Sequence, residues 1–263
     1  MSEYKEHRIA DVIEETSKIK TLIFEDDIDA DPGQFVMAWL PGVSSNPYSV
    51  GNDKPFSLTI KKRGNKDSFS AQVMELGKGD ALYTSDPKGN SFLDFLKDDY
   101  EHYLFAGGIG AIPLAFLAER MKKKPVVMLG AESKDKILFR DRFENSSRGI
   151  LVMTEDGSYG APWKGMITDL LDIQVYVHNA QIFICGPPEM LPLSGKKLKK
   201  RDVDDEDIIF SVEGGYMKCG SGHCGLCDVD GYRSCKDGPV FTYKTIKDGL
   251  NYHRTECGRL EKI

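Results

Sequence analysis

The chain of 263 residues contains no apolar run approaching the roughly 18 residues that a membrane-spanning helix needs. It also lacks a basic excess. Lys and Arg number 35 against 41 Asp and Glu, for a formal net charge of −6. General nucleic-acid and anionic-membrane binding use a positive surface field, so neither is expected. The first residues, MSEYKEHRIADVIEE, are charged and hold no apolar secretion-signal core, so a cytoplasmic location is expected. Internal repeats and low-complexity stretches are absent. What is present is ordinary globular composition, 40% apolar and 29% charged. The length allows two compact domains, or two and a small module.

Periodicity changes twice along the chain. Residues 1–98 read as all-β: IKTLIFED, GQFVMAWL, PYSV, KPFSLTIKK and GDALYT are short strands between Gly, Asp, Asn and Pro turns. Gly51-Asn52-Asp53 reads as the turn between PYSV and KPFSLTI. Many short strands with one helix candidate, SFSAQVMEL, predict a small antiparallel barrel. Residues 99–205 alternate strand and helix: HYLFAGGIG, AIPLAFLAERMKKK, PVVMLGAES, GILVMTEDGS, MITDLLDI and AQIFICGPPEML. The strands are apolar without alternation, as burial on both faces requires, which predicts a parallel α/β sheet. The run KKLKKRDVDDED reads as a solvated helix end and linker, with a partner-docking surface as the alternative. Residues 206–263 form a Cys- and Gly-rich tail.

Cysteine usage is concentrated. Cys219, Cys224, Cys227 and Cys235 stand in a C-x4-C-x2-C-x7-C pattern. In a cytosolic chain this reads as metal chemistry, not a disulfide framework. The first three match plant-type [2Fe–2S] spacing. A two-iron cluster needs four thiolates converging from a loop that wraps it closely. Gly220, Gly222 and Gly225 lie between the ligands and permit close approach and positive φ. A four-cysteine zinc site is the alternative, but zinc ribbons usually carry two C-x2-C knuckles and this chain has one. His223 reads as solvent-facing or supporting, and Cys257 as an ordinary cysteine.

Gly107, Gly108 and Gly110 sit in LFAGGIGAIPL, between an apolar strand and a helix. There a pyrophosphate can approach free N–H groups at the helix start. Pro113 occupies the place of the last glycine of the usual dinucleotide fingerprint. Thr154-Glu155-Asp156-Gly157-Ser158 and Cys185-Gly186-Pro187-Pro188 end two later strands. Ligands of open α/β sheets bind at carboxyl ends of strands, so the three loops are expected to converge. In the barrel, Asn46-Pro47-Tyr48-Ser49 and Lys54-Pro55-Phe56-Ser57 read either as edge-strand starts or as a flavin site. In a flavin site an aromatic ring covers the isoalloxazine while a hydroxyl or amide reaches it. The segment from Asp86 to Phe92, with Pro87 and Gly89, reads as a pyrophosphate loop.

Together these parts resemble the ferredoxin-NADP reductase superfamily. Within it the chain is most similar to the electron-transfer subunits of dihydroorotate dehydrogenase. Their cluster segment reads Y-M-x-C-G-x-G-x-C-G-x-C, then C-x-D-G-P-V-F. Here Tyr216-Met217-Lys218-Cys219-Gly220-Ser221-Gly222-His223-Cys224-Gly225-Leu226-Cys227 is followed by Cys235-Lys236-Asp237-Gly238-Pro239-Val240-Phe241. The resemblance implies an FAD-binding barrel (1–98), a nicotinamide-dinucleotide domain (99–205) and a [2Fe–2S] module (206–263). It implies FAD, the cluster on Cys219, Cys224, Cys227 and Cys235, and NAD(H) as cofactors. It implies FAD contacts at Asn46, Pro47, Tyr48, Ser49, Thr59, Ile60, Lys61, Ser70, Pro87 and Gly89. Nicotinamide contacts are implied at Gly107, Gly108, Gly110, Pro113, Asp156, Cys185, Gly186 and Pro187. The implied partner is an FMN-containing catalytic subunit, in a heterotetramer that serves pyrimidine biosynthesis. The same scaffold serving a hydrogenase or a glutamate-synthase-like partner is an alternative, and a zinc-tailed non-catalytic binding protein is another. The chain departs from the family's Arg-Pro-x-Ser by carrying Asn46, with Lys61 or Lys54 as candidates to supply the missing charge. Asp86 stands where the family has Gly.

Overall fold

The computed structural model describes residues 4–160, 162–173, 179–212, 217–254 and 260–262. Tyr216 and Cys257 lie outside them. The N-terminal half is built from β1 (Lys5–Thr16), β2 (Ile19–Phe24), β3 (Phe35–Leu40), β4 (Ser44–Asp53), β5 (Phe56–Lys61), the helix α1 (Phe69–Val73) and β6 (Ala81–Thr84). The strands close into an antiparallel barrel in the order β1-β2-β5-β4-β3-β6. Its interior takes alternate side chains, among them Ile9, Leu22, Phe24, Val36, Ala38, Val50, Phe56, Leu58, Ile60 and Leu82. The charged start of the chain is itself a strand, with His7 and Ile9 turned inward among solvent-facing charges.

The turn expected at Gly51-Asn52-Asp53 lies elsewhere. β4 continues to Asp53, and the reversal is made by Lys54-Pro55, whose peptide is cis. Gly51 marks a register shift between the Val50 and Asn52 pairs, where a Cβ would stand 3.1 Å from Ser57 Oγ. A glycine inside a strand can mark a bulge as well as a turn, and here it marks a bulge.

The second half follows the βαβ rhythm: β7 (Glu101–Gly107), α2 (Ala111–Arg120), β8 (Val126–Ala131), α3 (Arg140–Ser146), β9 (Gly149–Thr154), α4 (Leu170–Ile173), β10 (Ala180–Cys185), α5 (Met190–Lys199) and β11 (Ile208–Ser211). The tail adds β12 (Asp228–Val229), β13 (Tyr232–Arg233), α6 (Ser234–Asp237) and β14 (Val240–Thr242). The main sheet runs β14-β11-β10-β7-β8-β9. Its five strands from β7 to β11 are parallel, and β14 joins antiparallel, so the sheet is mixed at that edge. The sheet thus takes β11 and β14 from the segment read above as the cluster module. The charged run before β11 is not a free linker. Lys199 pairs with Asp205 at 2.9 Å and Lys97 with Asp207 at 2.6 Å, and Val203 is buried.

Barrel and sheet are joined along α2. Phe116 is buried in the barrel's core cluster, the guanidinium of Arg120 pairs with buried Asp53, and Arg142 donates to the Gly51 carbonyl at 3.0 Å. No helix among the described residues is long and apolar enough to cross a membrane.

Candidate functional site

The Gly-rich turn after β7 divides into two roles. Because β7 and β10 are parallel neighbours, with Ala106 opposite Cys185, their following loops abut. A Cβ on Gly110 would stand 2.1 Å from the Cys185 carbonyl oxygen, and one on Gly107 would stand 2.8 Å from Met190 Sδ. These two glycines are required by loop-on-loop packing. Gly108 differs. Its φ is +53° and nothing lies within 4 Å of where its Cβ would be, so it faces open space beside the start of α2. That is a cradle a ligand's phosphates can approach. Pro113 lies in the first turn of α2, where its missing N–H costs no helical bond. Gly107, Gly108, Gly110, Cys185, Gly186 and Pro187 are therefore gathered in one place. Asp156 is not. It follows β9, the sheet edge, with β8 between that strand and β7. Its exposed carboxylate accepts from Ser158 N at 2.9 Å, and the Ser158 hydroxyl, followed by this amide, holds it below its ordinary pKa.

On the barrel, Asn46, Pro47, Tyr48 and Ser49 lie on β4, all half-buried. Tyr48 stacks on Phe69 of α1, with centroids 5.8 Å apart and planes at 29°. Burial pushes the Tyr48 hydroxyl up to about 12, and the positive charge of Arg63 opposes the shift. Arg63 is exposed, and its guanidinium makes no ion pair or side-chain hydrogen bond among the described residues. Its backbone is pinned. Ser70 Oγ accepts from Arg63 N at 2.9 Å and donates to Arg63 O at 3.0 Å, while Ser68 Oγ donates to the same carbonyl at 2.6 Å. Ser70 thus shapes the Arg63 loop. Thr59 hydrogen-bonds Thr21 across the β2–β5 pair at 2.9 Å, and Ile60 lies in the barrel core, so both side chains are committed internally. Lys61 ends β5 on the side of Glu132, whose carboxyl is lowered chiefly by its hydrogen bond to Lys136 and in smaller part by the charge of Lys61. Lys54 sits in the turn beyond the far end of β4 from Asn46.

The Pro87–Gly89 loop is engaged by the tail. A Cβ on Gly89 would stand 2.5 Å from Pro239 Cδ. Asn90 N donates to Gly238 O at 2.9 Å. The Asn90 side chain makes a two-way bond with Val240, Nδ2 to O at 2.8 Å and N to Oδ1 at 2.9 Å. Sequence reasoning gave no sign of this clasp, because its partners are separated by most of the chain.

Cys219, Cys224 and Cys227 lie on one glycine loop and Cys235 lies on α6 beyond the β12–β13 hairpin, with Cys224 exposed, Cys219 half-buried and Cys227 and Cys235 buried. Gly220, Gly222 and Gly225 all have positive φ, at 63°, 76° and 70°. Two backbone amides point at sulfur: Gly222 N to Cys235 Sγ at 3.1 Å and Cys224 N to Cys219 Sγ at 3.5 Å. Burial opposes ionisation of Cys219, but hydrogen bonds from Cys224 and Ser221 outweigh it and bring the thiol down to about 6. Burial and the Cys227 thiol push Cys235 up to about 12. Cys227 and Cys235 stand with Sγ atoms 3.3 Å apart. That is well beyond the roughly 2.05 Å of a disulfide. It is near the roughly 3.8 Å that separates two thiolates each bound about 2.3 Å from one tetrahedral metal. The four-thiol donor set and the amides aimed at sulfur fit the two-iron group. His223 is exposed, with Nδ1 3.0 Å from Ser221 Oγ.

These features accord with what the chain is similar to. The model of the iron–sulfur cluster binding domain of dihydroorotate dehydrogenase B matches residues 215–247. A solved NADH-dependent reduced ferredoxin-NADP oxidoreductase superposes with a TM-score of 0.77 at 25% identity, covering 93% of this chain and 92% of that one. The ferredoxin NADP+ reductase of Neisseria gonorrhoeae, solved with FAD and NADP, has a TM-score of 0.67 at 16% identity. It covers 80% of this chain and 98% of that one. Fold and cysteine loop thus define a ferredoxin-NADP reductase-like oxidoreductase with an appended iron–sulfur segment.

Curated relatives narrow the class. The probable dihydroorotate dehydrogenase B (NAD(+)) electron transfer subunit of Pyrococcus horikoshii is 38% identical over 95% of this chain and 92% of its own length. That of Methanocaldococcus jannaschii is 35% identical over 96% of each. The chain belongs to the family of dihydroorotate dehydrogenase B (NAD(+)) electron transfer subunits.

Proposed function

We propose that the protein moves electrons between NAD(H) and a catalytic partner subunit that oxidises dihydroorotate, through FAD and a [2Fe–2S] cluster. Bound together, these cofactors supply the chemistry: the flavin exchanges a hydride with the nicotinamide and single electrons with the cluster. The chain's residues bind, align and shield. Tyr48 and Ser49 present an aromatic ring and a hydroxyl to the flavin, and Asn46 and Pro47 shape the strand beside them. Arg63 supplies the cation that position 46 lacks, since a diphosphate is best held by a charge-assisted guanidinium. Ser70 holds the Arg63 loop, Thr59, Ile60 and Lys61 carry the strand beneath the site, and Pro87 and Gly89 border it. Gly108 admits the dinucleotide's phosphates. Gly107, Gly110, Pro113, Cys185, Gly186 and Pro187 set the turn that receives the nicotinamide end, and Asp156, after the edge strand β9, would meet a more distant part of the dinucleotide. Cys219, Cys224, Cys227 and Cys235 ligate the cluster. The reading divides the chain at 1–98, 99–205 and 206–263 by the group each part serves, although the third part lends two strands to the second part's sheet.

The partner in this reading carries FMN and forms a heterotetramer with this chain in the cytoplasm. The single observation that carries the proposal is the cysteine loop, with paired thiols and amides aimed at sulfur on a reductase fold. Anaerobic purification from the native cell tests it. The expected product is a brown protein with FAD and iron, bleached by NADH and co-purifying with an FMN protein. A colourless zinc protein, or a hydrogenase as the companion chain, overturns it.

A further inference from the structure

The cluster loop touches the barrel at one tight point. A Cβ on Gly220 would stand 2.2 Å from Met37 Sδ and 2.7 Å from Met37 Cγ. Gly220 follows Cys219 directly, and its φ of +63° turns the loop back over the β3 side chain. Met37 is fixed from several sides. It pairs across β3–β4 with Pro47, its N–H donates to Ser85 Oγ at 3.0 Å, and its carbonyl accepts from Ser85 N at 3.0 Å. Only 5% of Met37 is exposed. It shares one buried cluster with Phe35, Met217, Cys227 and Cys235, so barrel and cysteine loop have a common core. The Asn90–Val240 bonds and the Gly89–Pro239 contact close the same seam from the other side of the tail.

We infer that Met37 is a positioning residue: the seat that holds the cluster loop against the flavin-facing strand pair and fixes the gap electrons cross. This rests on the proposed function, since it takes Pro47 and its neighbours as the flavin strand. A thioether suits the place. It is apolar, polarizable and able to fill the irregular space under a loop that carries no Cβ at the contact. Each transfer across the seam moves one electron. Over two such transfers a flavin reduced by one hydride would return to its oxidised form and release that hydride's single proton to solvent, and each electron would convert one ferric ion of the cluster to ferrous, with the partner reoxidising the cluster in between. NADH, the reductant of the family's reaction, supplies the electrons.

The test uses the full chain, purified without oxygen and loaded with FAD and cluster, as wild type, Met37→Ala, Met37→Leu and Gly220→Ala. Four quantities are measured: iron and flavin content, the paramagnetic spectrum of the dithionite-reduced cluster, the rate of flavin bleaching by NADH and the rate of cluster reduction by NADH. In Met37→Ala the contents, the spectrum and flavin bleaching are expected to stay at wild-type values. Cluster reduction is expected to slow severalfold, as electron transfer does when the gap it crosses widens. Met37→Leu, which keeps the volume, recovers most of that rate. Gly220→Ala slows the same step, and if it fails to assemble a cluster the Met37 pair decides. Unchanged cluster reduction in a loaded Met37→Ala protein overturns the inference alone. So does loss of the cluster from both Met37 variants, which makes the residue one of assembly. A wild type that takes up no flavin overturns the parent reading instead.

Discussion

At the scale of single residues, the proposed function assigns its chemistry to the thiols and one arginine. Cys224 is the exposed cysteine of the proposed ligand set, and its backbone amide also donates to the Cys219 sulfur. Cys224→Ser removes a thiolate and is expected to abolish the cluster, read as loss of iron and of the paramagnetic signal. NADH bleaching of the flavin should persist, because the residues around Gly108 and Tyr48 are untouched. If a folded, FAD-loaded Cys224→Ser protein loses both activities, the division of roles is wrong. Arg63 supports a second prediction. Hydrogen bonds to charged groups contribute about 1.5–3 kcal/mol, so Arg63→Gln should weaken FAD binding about 10- to 100-fold in a fluorescence titration. Adding Asn46→Arg to that variant should restore affinity, whereas Lys61→Gln should leave it close to wild type. Equal losses from Lys61→Gln and Arg63→Gln would place the diphosphate elsewhere.

At the scale of elements, the turn between β7 and α2 assigns different duties to glycines that look alike in sequence. Gly110→Ala drives a methyl into the Cys185 carbonyl, and overpacking of this kind costs about 1–3 kcal/mol or more. A drop in melting temperature is the expected readout. Gly108→Ala adds its methyl to open space at a φ that costs a side chain about 1 kcal/mol. The protein should stay folded and lose NADH affinity, measured by the NADH concentration that half-saturates flavin bleaching. A Gly108→Ala protein with unchanged affinity would show that the phosphates do not pass over this residue. The glycines and their place after a strand are legible in the sequence. Which of them faces a ligand is not, because the distinction comes from the neighbouring β10 loop, far away along the chain.

At the scale of the whole molecule, the barrel, sheet and cysteine loop are held by contacts between distant segments: Asp53 with Arg120, Asn90 with Val240, and Met37 under Gly220. Two buried histidines give the fold a pH dependence. Burial lowers His102 below the ordinary histidine value, against a hydrogen bond to the Lys97 carbonyl at 3.1 Å. Burial also lowers His7, with Asp26 opposing. The unfolded chain takes up these protons below about pH 6.5, while the folded chain resists them until lower pH. Stability from both groups is therefore complete above about 6.5 and declines as pH falls below it. Melting temperature should drop between about pH 7.5 and about pH 5.5, and His102→Gln should flatten that slope. An identical slope in the variant would remove His102 from the account.

Local pattern alone determined much of this protein. Alternation in short strands specifies a barrel, continuous apolar strands between helices specify a sheet buried on both faces, and C-x4-C-x2-C with interleaved glycines specifies thiolate ligation. Each signal is written within a dozen or so neighbouring residues, where period and spacing suffice. Tertiary structure decided what no local window contains. Gly51 is a bulge and not a turn because Ser57 packs against it. The Pro87–Gly89 loop is clasped by the tail because Asn90 meets Val240. Arg63 lies where its charge acts on Tyr48, whereas Lys61 lies where its charge acts on Glu132, and no local window separates the two. Such outcomes depend on which distant side chains close the remaining space, and packing settles that only once every element is in place.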